Sequence, residues 1–421
     1  MIRRLIDSAV AHRYLVLFIV GAAAALGVWQ LGRLPIDAVP DITNKQVVIN
    51  TLAPALGPLD IEKRVTFPVE TAFAGIPGLQ STRSISRSGF SQVTAVFEDG
   101  VDIYFARQQV AERLAQARDA LPQGATPNMG PVTTGLGEVL MWSVRYKEPR
   151  LQVDDRPGWQ RDGSYLTSEG ERLTDAVSQS AYLRTVQTWI IAPQLKTVTG
   201  VAGIDSIGGY EKQFLVEPDP ARLASYGISF TELADALEKS NVSVGANFVE
   251  RGGEAFLVRA DARIRTLDEI GSSVIATRGG VPVLVRDVGS VRVGGELRTG
   301  AASENGREVV IGTALMLVGG NSRTVSAAVA RKIEEVRGAL PPGIELQITY
   351  NRSKLVDATI GTVEKNLLEG ALLVIAALFF LLGNIRAALI TALVIPLSFL
   401  LMATGMNVFG VSGNLMSHSS M

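Results

Sequence analysis

The sequence predicts an α+β membrane protein in which three apolar segments flank one large extramembrane loop. Long runs poor in charge lie near both ends of the 421-residue chain, and strand-like and helix-like periods alternate between them. The runs cover residues 14–31, 367–383 and 388–406, each about one bilayer long at roughly 1.5 Å per helical residue. We expect three transmembrane helices, in residues 1–33 (with the N-terminus), 354–383 (with a lead-in) and 387–407.

The first apolar segment has two interpretations. Arg3 and Arg4 precede it and its alanines resemble a cleavage site, as in a signal peptide, but the apolar run continues to Trp29, as in a spanning helix. These arginines, and Arg386 between the last two segments, predict cytoplasmic ends under the positive-inside rule. The loop between residues 33 and 359 then lies across the membrane in either case.

The composition excludes several kinds of site. Lys plus Arg is 40 and Asp plus Glu is 41, so no charge bias indicates a nucleic-acid partner. Cys is absent, which excludes disulfides and thiolate metal sites, and His12 and His418 are too few for a histidine cluster. Phosphate-binding loops, nucleophile elbows and HExxH motifs do not occur, so neither an enzyme nor a bound cofactor is predicted.

The first part of the loop is typical of a β-α-β-β-α-β unit, the ferredoxin-like order. The strand "KQVVINTLA" precedes a helix in "PLDIEKRVTFPVETAFAG", and two strands then turn at Ser88-Gly89. An amphipathic helix begins at Asp102 and ends before Pro122, and extended segments follow.

An internal repeat predicts a second unit of the same kind. "VAERLAQARDALPQG" at residues 110–124 recurs as "VARKIEEVRGALPPG" at residues 329–343, identical at about half of its positions. Chance recurrence of helix-ending Pro and Gly is the alternative, but duplication explains the agreement better.

The segment between the repeats has a different character. It predicts a turn at Pro218-Asp219-Pro220, a helix capped at Ser229 or Thr231, and a hairpin through Arg251-Gly252-Gly253. Residues 148–171 mix both charges with Gly and Pro, which indicates a solvated surface loop.

Three strings carry a family resemblance: "LGRLPIDAVPDITNKQVVINT", "GYEKQFLVEPDPARLASYGIS" and "GNIRAALITALVIPLSFLLMATGMNVFGVSGNLMS". They resemble the inner-membrane subunits of resistance–nodulation–cell division (RND) exporters, specifically the heavy-metal-efflux branch. Drug-exporting relatives usually have Tyr-Pro where this chain has "DAVPDIT". The resemblance covers residues 2–417.

The resemblance implies a multi-pass permease of the bacterial inner membrane, a secondary transporter that exchanges cations for protons. Such proteins have twelve helices in two halves, work as trimers, and join a periplasmic adaptor and an outer-membrane channel. The transported metal cation is a substrate rather than a cofactor. The implied periplasmic map is a first pore subdomain at 40–134, a second at 135–177 with 267–350, and a docking insert at 178–266.

The same resemblance makes residues 408–421 aberrant. In the family the fourth helix, which carries the proton-relay carboxylates, begins directly after a "GNLMS" string, where this chain has "HSSM". The resemblance therefore implies no proton relay in this chain and a truncated, inactive product, from a frameshift, an early stop or an incomplete record.

Glu138 is the candidate metal-pathway residue, because metal-exporting relatives often have a carboxylate there, although a solvated or ion-paired glutamate is as plausible. A carboxylate suits Zn²⁺, Co²⁺ or Ni²⁺ better than Cu⁺. Met129 and Met141 could be soft ligands, but core packing is the commoner role of methionine. His12 is interpreted as a cytoplasmic interface residue and His418 as part of the tail.

Three alternatives stay open. The chain could derive from an RND exporter of drugs or amphiphiles. It could be a membrane-anchored periplasmic binding or assembly protein that transports nothing. The missing half could also be made separately and complement this one.

Overall fold

The computed structural model describes residues 11–31, 43–54, 56–148, 153, 156–261, 263–296, 298, 300–382 and 385–408. Its mixture of helices and sheets confirms the α+β part of the predicted fold class. An apolar helix, α1 (Arg13–Leu31), precedes two sheet units, and the second unit carries an insert.

The first sheet unit, residues 46–129, has the predicted ferredoxin-like order. Its elements are β1 (Gln46–Leu52), α2 (Pro58–Ile61), a π-helical stretch (Glu62–Thr66), α3 (Phe67–Phe73), β2 (Leu79–Arg87), β3 (Phe90–Phe97), α4 (Ile103–Ala117), a 3-10 turn (Arg118–Ala120) and β4 (Thr126–Met129). The strands are antiparallel in the order β2-β3-β1-β4. The predicted turn at Ser88-Gly89 joins β2 to β3, and Asp102 caps α4 as predicted.

The second sheet unit, residues 138–207 and 302–351, repeats this arrangement around an insertion. Its elements are β5 (Glu138–Tyr146), β6 (Gly158–Trp159), β7 (Tyr165–Leu166), β8 (Arg172–Leu173), α5 (Ala176–Thr185), a π-helical stretch (Val186–Ile191), α6 (Ala192–Lys196), β9 (Val201–Ile207), β16 (Ala302–Glu304), β17 (Arg307–Met316), α11 (Ser322–Arg337) and β18 (Ile344–Asn351). Strand β17 pairs with both β9 and β5, and β5 pairs with β18. The order β9-β17-β5-β18 therefore matches the first unit strand for strand.

Helices α4 and α11 occupy equivalent places in the two units, as the repeat predicted. Each crosses its sheet from the third main strand to the last. Val110 and Val329 are the matching, fully buried residues of the two helices. Gly124 and Gly343 follow with φ of 86° and 80°, a backbone conformation that favours glycine before the last strand.

The structure corrects the predicted limits of the second pore subdomain (135–177 with 267–350) and of the docking insert (178–266). Residues 178–207 belong to the second sheet unit, because Leu183 and Leu195 pack in its core and β9 pairs with β17. Residues 267–295 belong to the insert instead, where Val285 is a fully buried core residue. The pairing of β9 with a strand far along the sequence causes the shift. The functional names of these subdomains stay predictions.

The insert, residues 210–296, is a small α/β body with its own core. Its elements are β10 (Lys212–Pro218), α7 (Pro220–Tyr226), α8 (Phe230–Ser240), β11 (Ser243–Arg251), β12 (Glu254–Asp261), α9 (Leu267–Gly271), β13 (Val274–Arg278), β14 (Val281–Leu284), α10 (Val285–Val288) and β15 (Gly289–Gly295). The first strand pairs with the last, β10 with β15. The predicted signals are confirmed: Asp219 caps α7, Ser229 caps α8 in a capping box, and Gly252-Gly253 turn the β11–β12 hairpin.

The region predicted as a solvated loop is partly a packed structure. Strands β6, β7 and β8 form a small sheet, and Trp159 and Tyr165 are buried on the core of the second unit. The rings of Tyr146, Trp159 and Tyr165 lie with centroids 4.9 to 5.5 Å apart. Strands of two residues are too short to show an alternating pattern in the sequence. The aromatic residues Trp159 and Tyr165 were the available signal that this region packs on a core.

Two helices, α12 (Arg352–Leu382) and α13 (Ile385–Val408), follow the second unit. Helix α13 continues through Pro396 and packs against α1 and α12. A Cβ placed on Gly27 of α1 would come within 2.6 Å of the Leu400 Cβ, so the two helices touch closely there. Among the described residues, one stretch, Arg13–Gln30, is long and apolar enough to cross a membrane. Leu368–Leu381 and Pro396–Met406 are shorter apolar stretches, so three spans are not confirmed.

Candidate functional site

The face of the second sheet opposite its helices carries the candidate site. Directly paired residues on neighbouring strands point to the same face of a sheet. One row across this face consists of Asp205, Thr313, Met141 and Tyr350. The next row consists of Gly203, Leu315 and Glu138.

Glu138 is the residue singled out from the sequence, and Asp205 is a carboxylate that sequence reasoning missed. They lie two strands and two residues apart on this face, which corresponds to about 12 Å at the usual spacings of a sheet. One ion cannot bridge that gap, because carboxylate oxygens bind zinc-like cations at about 2.0–2.2 Å. The part of the chain that the structure describes also contains no group of three or more His, Cys, Asp or Glu that could hold a metal. The face therefore offers successive single carboxylates rather than a closed chelate.

The carboxyl group of Asp205 has a perturbed acidity. Desolvation raises its pKa above the ordinary value, and the nearby ammonium of Lys196 offsets part of that rise. A bound cation would favour the ionised form, so cation binding at Asp205 would release a proton in part of the pH range.

A tight turn fixes the backbone just before Glu138. The backbone N–H of Met316 donates to the carbonyl oxygen of Gly137 at 2.7 Å, and a guanidinium N–H of Arg352 donates to that of Leu136 at 2.6 Å. A Cβ on Gly137 would lie 1.7 Å from the Thr133 hydroxyl oxygen, so the Thr133 side chain would have to rotate to admit a larger residue there. The glutamate side chain at the end of this turn is exposed to solvent.

The structure gives different outcomes for the other candidate residues from the sequence. Met129 packs against the core of the first unit, which confirms its core interpretation. Met141 is half-buried in the row that contains Asp205, so its role as a soft ligand stays a prediction. His12 is exposed beside α1, and His418 lies outside the described residues, as does the rest of the chain beyond residue 408.

A cleft of about 770 Å³ lies at the opposite end of β5. Its carboxylates are paired with arginines: Arg145 lies 3.2 Å from Glu304 and 2.8 Å from Glu345, and Arg298 lies 2.8 Å from Glu308. These pairs neutralise the acidic side chains, so the cleft is a poorer cation site than the face with Glu138 and Asp205.

The comparisons with known proteins match this architecture. The model of the AcrB/AcrD/AcrF family matches residues 5–421. The chain belongs to this family. Its most similar relatives include the nickel-cobalt-cadmium resistance protein NccA of Alcaligenes xylosoxydans xylosoxydans, 61% identical over 99% of this chain. The nickel and cobalt resistance protein CnrA of Cupriavidus metallidurans is 60% identical over the same share, and the cation efflux system protein CusA of Escherichia coli K12 is 36% identical.

A solved structure supports the same assignment. A crystal structure of a heavy metal efflux pump aligns with 98% of this chain at a TM-score of 0.82 and 32% identity. The resemblance to the heavy-metal-efflux branch of the RND exporters is thereby confirmed. The chain spans 39% of the length of NccA and of CnrA, and 39% of the aligned chain in the crystal structure.

Proposed function

We propose that this chain is the N-terminal part of a proton-driven RND efflux permease for divalent heavy-metal cations. The observation that carries the proposal is identity of at least 60% to two relatives named for nickel and cobalt resistance. Those names also favour metal cations over drugs or amphiphiles as the cargo. The "DAVPDIT" string after the first apolar segment favours the same choice.

Nickel and cobalt fit the donors on the candidate face better than copper does. Glu138 and Asp205 offer oxygen ligands, whereas Cu⁺ prefers the thiolate and thioether ligands of Cys and Met. The chain has no cysteine to supply a thiolate. Single carboxylates spaced along one face would bind a hydrated cation weakly, which suits a cation that passes from one to the next.

We propose further that α1, α12 and α13 all cross the inner membrane, with the two sheet units and the insert in the periplasm. Apolar side chains on these helices are exposed, among them Phe380 at 85% and Leu381 at 83%, as expected of surfaces that face lipid. Gly27 at the contact with Leu400 is the kind of small residue that lets membrane helices approach closely.

The proton relay and the partners are proposed from the resemblance. The three apolar stretches hold one carboxylate, Glu369, which lies at the start of its stretch and 3.9 Å from the ammonium of Lys365. An ion-paired carboxylate at the edge of a span is a poor proton carrier, so the relay belongs to other helices of the permease. A homotrimer with a periplasmic adaptor and an outer-membrane channel completes the proposal.

Cobalt titration of the purified chain in detergent tests the metal pathway. We expect Co²⁺ to bind weakly, and Glu138→Gln and Asp205→Asn each to remove one of the two single-carboxylate sites, so that each variant binds less Co²⁺ than the wild type at a given free concentration. Because Asp205 has a raised pKa, we expect the affinity to fall as the pH is lowered and that carboxyl is protonated.

Asp235→Asn is the matched control, because Asp235 is an exposed carboxylate on α8 of the insert. If the wild type and the three variants bind equal amounts of Co²⁺, neither Glu138 nor Asp205 is a metal ligand. Preferential binding of a cationic dye would favour the drug-exporter alternative. A chain that binds neither, but stably captures a periplasmic protein, would favour the binding or assembly alternative.

A further inference from the structure

The second sheet unit passes into helix α12 without a loop. Asn351 is the last residue of β18 and Arg352 is the first residue of α12. The side chain of Asn351 accepts hydrogen bonds from the backbone N–H and the hydroxyl of Ser353, at 2.9 and 2.7 Å. The start of the helix is therefore fixed rigidly to the edge strand of the sheet.

The next turn of α12 is also held against the unit. Val356 is fully buried, and Asp357 forms an ion pair with Arg323 of α11 at 2.8 Å. The first turns of α12 therefore pack directly on the second sheet unit.

The side chain of Arg352 reaches from this junction to the turn before Glu138. Arg352 is 5% exposed, and its guanidinium donates to the carbonyl oxygen of Leu136 at 2.6 Å. A charged donor makes a shorter and stronger bond than a neutral one, so this contact is well suited to holding a backbone turn. Leu136 lies two residues before the candidate carboxylate.

The same turn is approached from the side of α1. A Cβ on Gly135 would lie 3.4 Å from the hydroxyl oxygen of Thr43, which is in the connection from α1 to the first sheet unit. The turn thus has Thr43 as a neighbour on one part and Arg352 bonded to another.

We propose that Arg352 is a positioning residue that couples helix α12 to the carboxylate of Glu138. This inference rests on the proposed function, since it assigns the coupling a use in moving a cation. A displacement of α12 pulls the Leu136 carbonyl through the guanidinium, and Glu138 moves with the turn. The alternative is that Arg352 only anchors α12 to the second sheet unit.

Distance measurements between spin labels separate these two roles in the whole 421-residue chain. The native chain has no cysteine, so each label pair needs only two substitutions. Glu138→Cys with Lys365→Cys reports the turn against α12, and Arg331→Cys with Lys365→Cys reports α11 against α12. All three positions carry exposed or half-exposed polar side chains.

We expect Arg352→Ala to broaden the 138–365 distance distribution and to leave the 331–365 distribution narrow. Arg352→Lys should restore the narrow 138–365 distribution, because an ammonium can still donate to the carbonyl. Lys354→Ala, an exposed neighbour on α12, should change neither. Broadening of both distributions would show an anchor only, and broadening of neither would show no coupling; either result overturns the proposal.

A different measurement, the cobalt titration, tests the proposed function. These distances are recorded without metal, so they decide the role of Arg352 even if the wild-type chain binds no cobalt. If the wild-type chain binds no cobalt but the Arg352 variants give the expected distance distributions, the metal pathway is refuted and the mechanical coupling stands.

Discussion

Gly312 is a position where the fold of the second sheet unit depends on the absence of a side chain. A Cβ there would lie 2.3 and 2.4 Å from Cε2 and Cζ2 of Trp142, and 2.6 Å from Nε2 of Gln187. Both neighbours are fully buried. The indole N–H of Trp142 donates to Oε1 of Gln187 at 2.9 Å, and the amide of Gln187 donates to Ser206 at 3.1 Å.

Gly312→Ala must therefore displace the indole or the amide by about 1 Å to reach ordinary carbon contact distances. Overpacking of a core costs about 1–3 kcal/mol. A buried hydrogen bond that is broken in the process costs about 1–3 kcal/mol more. We expect Gly312→Ala to lower the free energy of unfolding by about 2–6 kcal/mol, a large part of the roughly 5–15 kcal/mol that stabilises a typical domain.

Urea unfolding of the chain in detergent, followed by tryptophan fluorescence, measures this loss. Gly100→Ala is the control, because a Cβ at Gly100 meets nothing within 4 Å. Its free energy of unfolding should change by at most about 0.5 kcal/mol. Trp142→Phe makes room next to the new methyl group, so the double variant Gly312→Ala/Trp142→Phe should lose less than the sum of the single variants. An unfolding midpoint for Gly312→Ala equal to that of Gly100→Ala would refute the packing argument.

Two further predictions concern the cores of the two sheet units. Burial, with the charge of Glu169 and a hydrogen bond to it, raises the pKa of Tyr182 to about 12. A folded-state pKa above the unfolded value of about 10 means that stability is complete below pH 10 and falls as the pH rises towards 12. Urea midpoints should decline over that window, and less steeply in Tyr182→Phe; equal slopes would contradict the assignment. Val110→Ala and Val329→Ala each remove two carbons from a fully buried site, so each should cost about 1.5–3 kcal/mol. Because the two sites lie in separate cores, the losses should add in the double variant. Loss of stability in only one of the two variants would show that the helices are not equivalent.

Local signals in the sequence located much of the fold. Asp102, Asp219 and Ser229 each mark a helix start, because their side chains bond to backbone N–H groups within three residues. The internal repeat worked for a related reason: the buried positions of α4 and α11 keep the same spacing in both copies.

Long-range pairing set the limit of these predictions. The partner of β9 is β17, and no local sequence pattern around Ile207 predicts that it pairs with Ile311. The predicted limits of the insert were wrong for that reason. Asp205 was missed for the same reason, since only the intervening strand β17 brings it to the face that carries Glu138.

The insert leaves and rejoins the second sheet unit at nearly one point. A Cβ on Gly208 would lie 3.1 Å from the Cβ of Ala302, and β9 and β17 are antiparallel neighbours. In the first sheet unit the equivalent strands, β2 and β3, are joined by Ser88-Gly89 alone. Strand β16 continues the line of β9 along β17, and Asn305-Gly306 then form the turn into β17. The insert thus interrupts the edge strand of this hairpin as a module with its own core. Replacing residues 208–301 by a single residue opposite Val310 would join β9 to β16 as one continuous strand and yield a minimal ferredoxin-like domain. Its hairpin would turn at Asn305-Gly306, the counterpart of Ser88-Gly89, and the edge strand β2 of the first unit is the corresponding place at which a second module could be inserted.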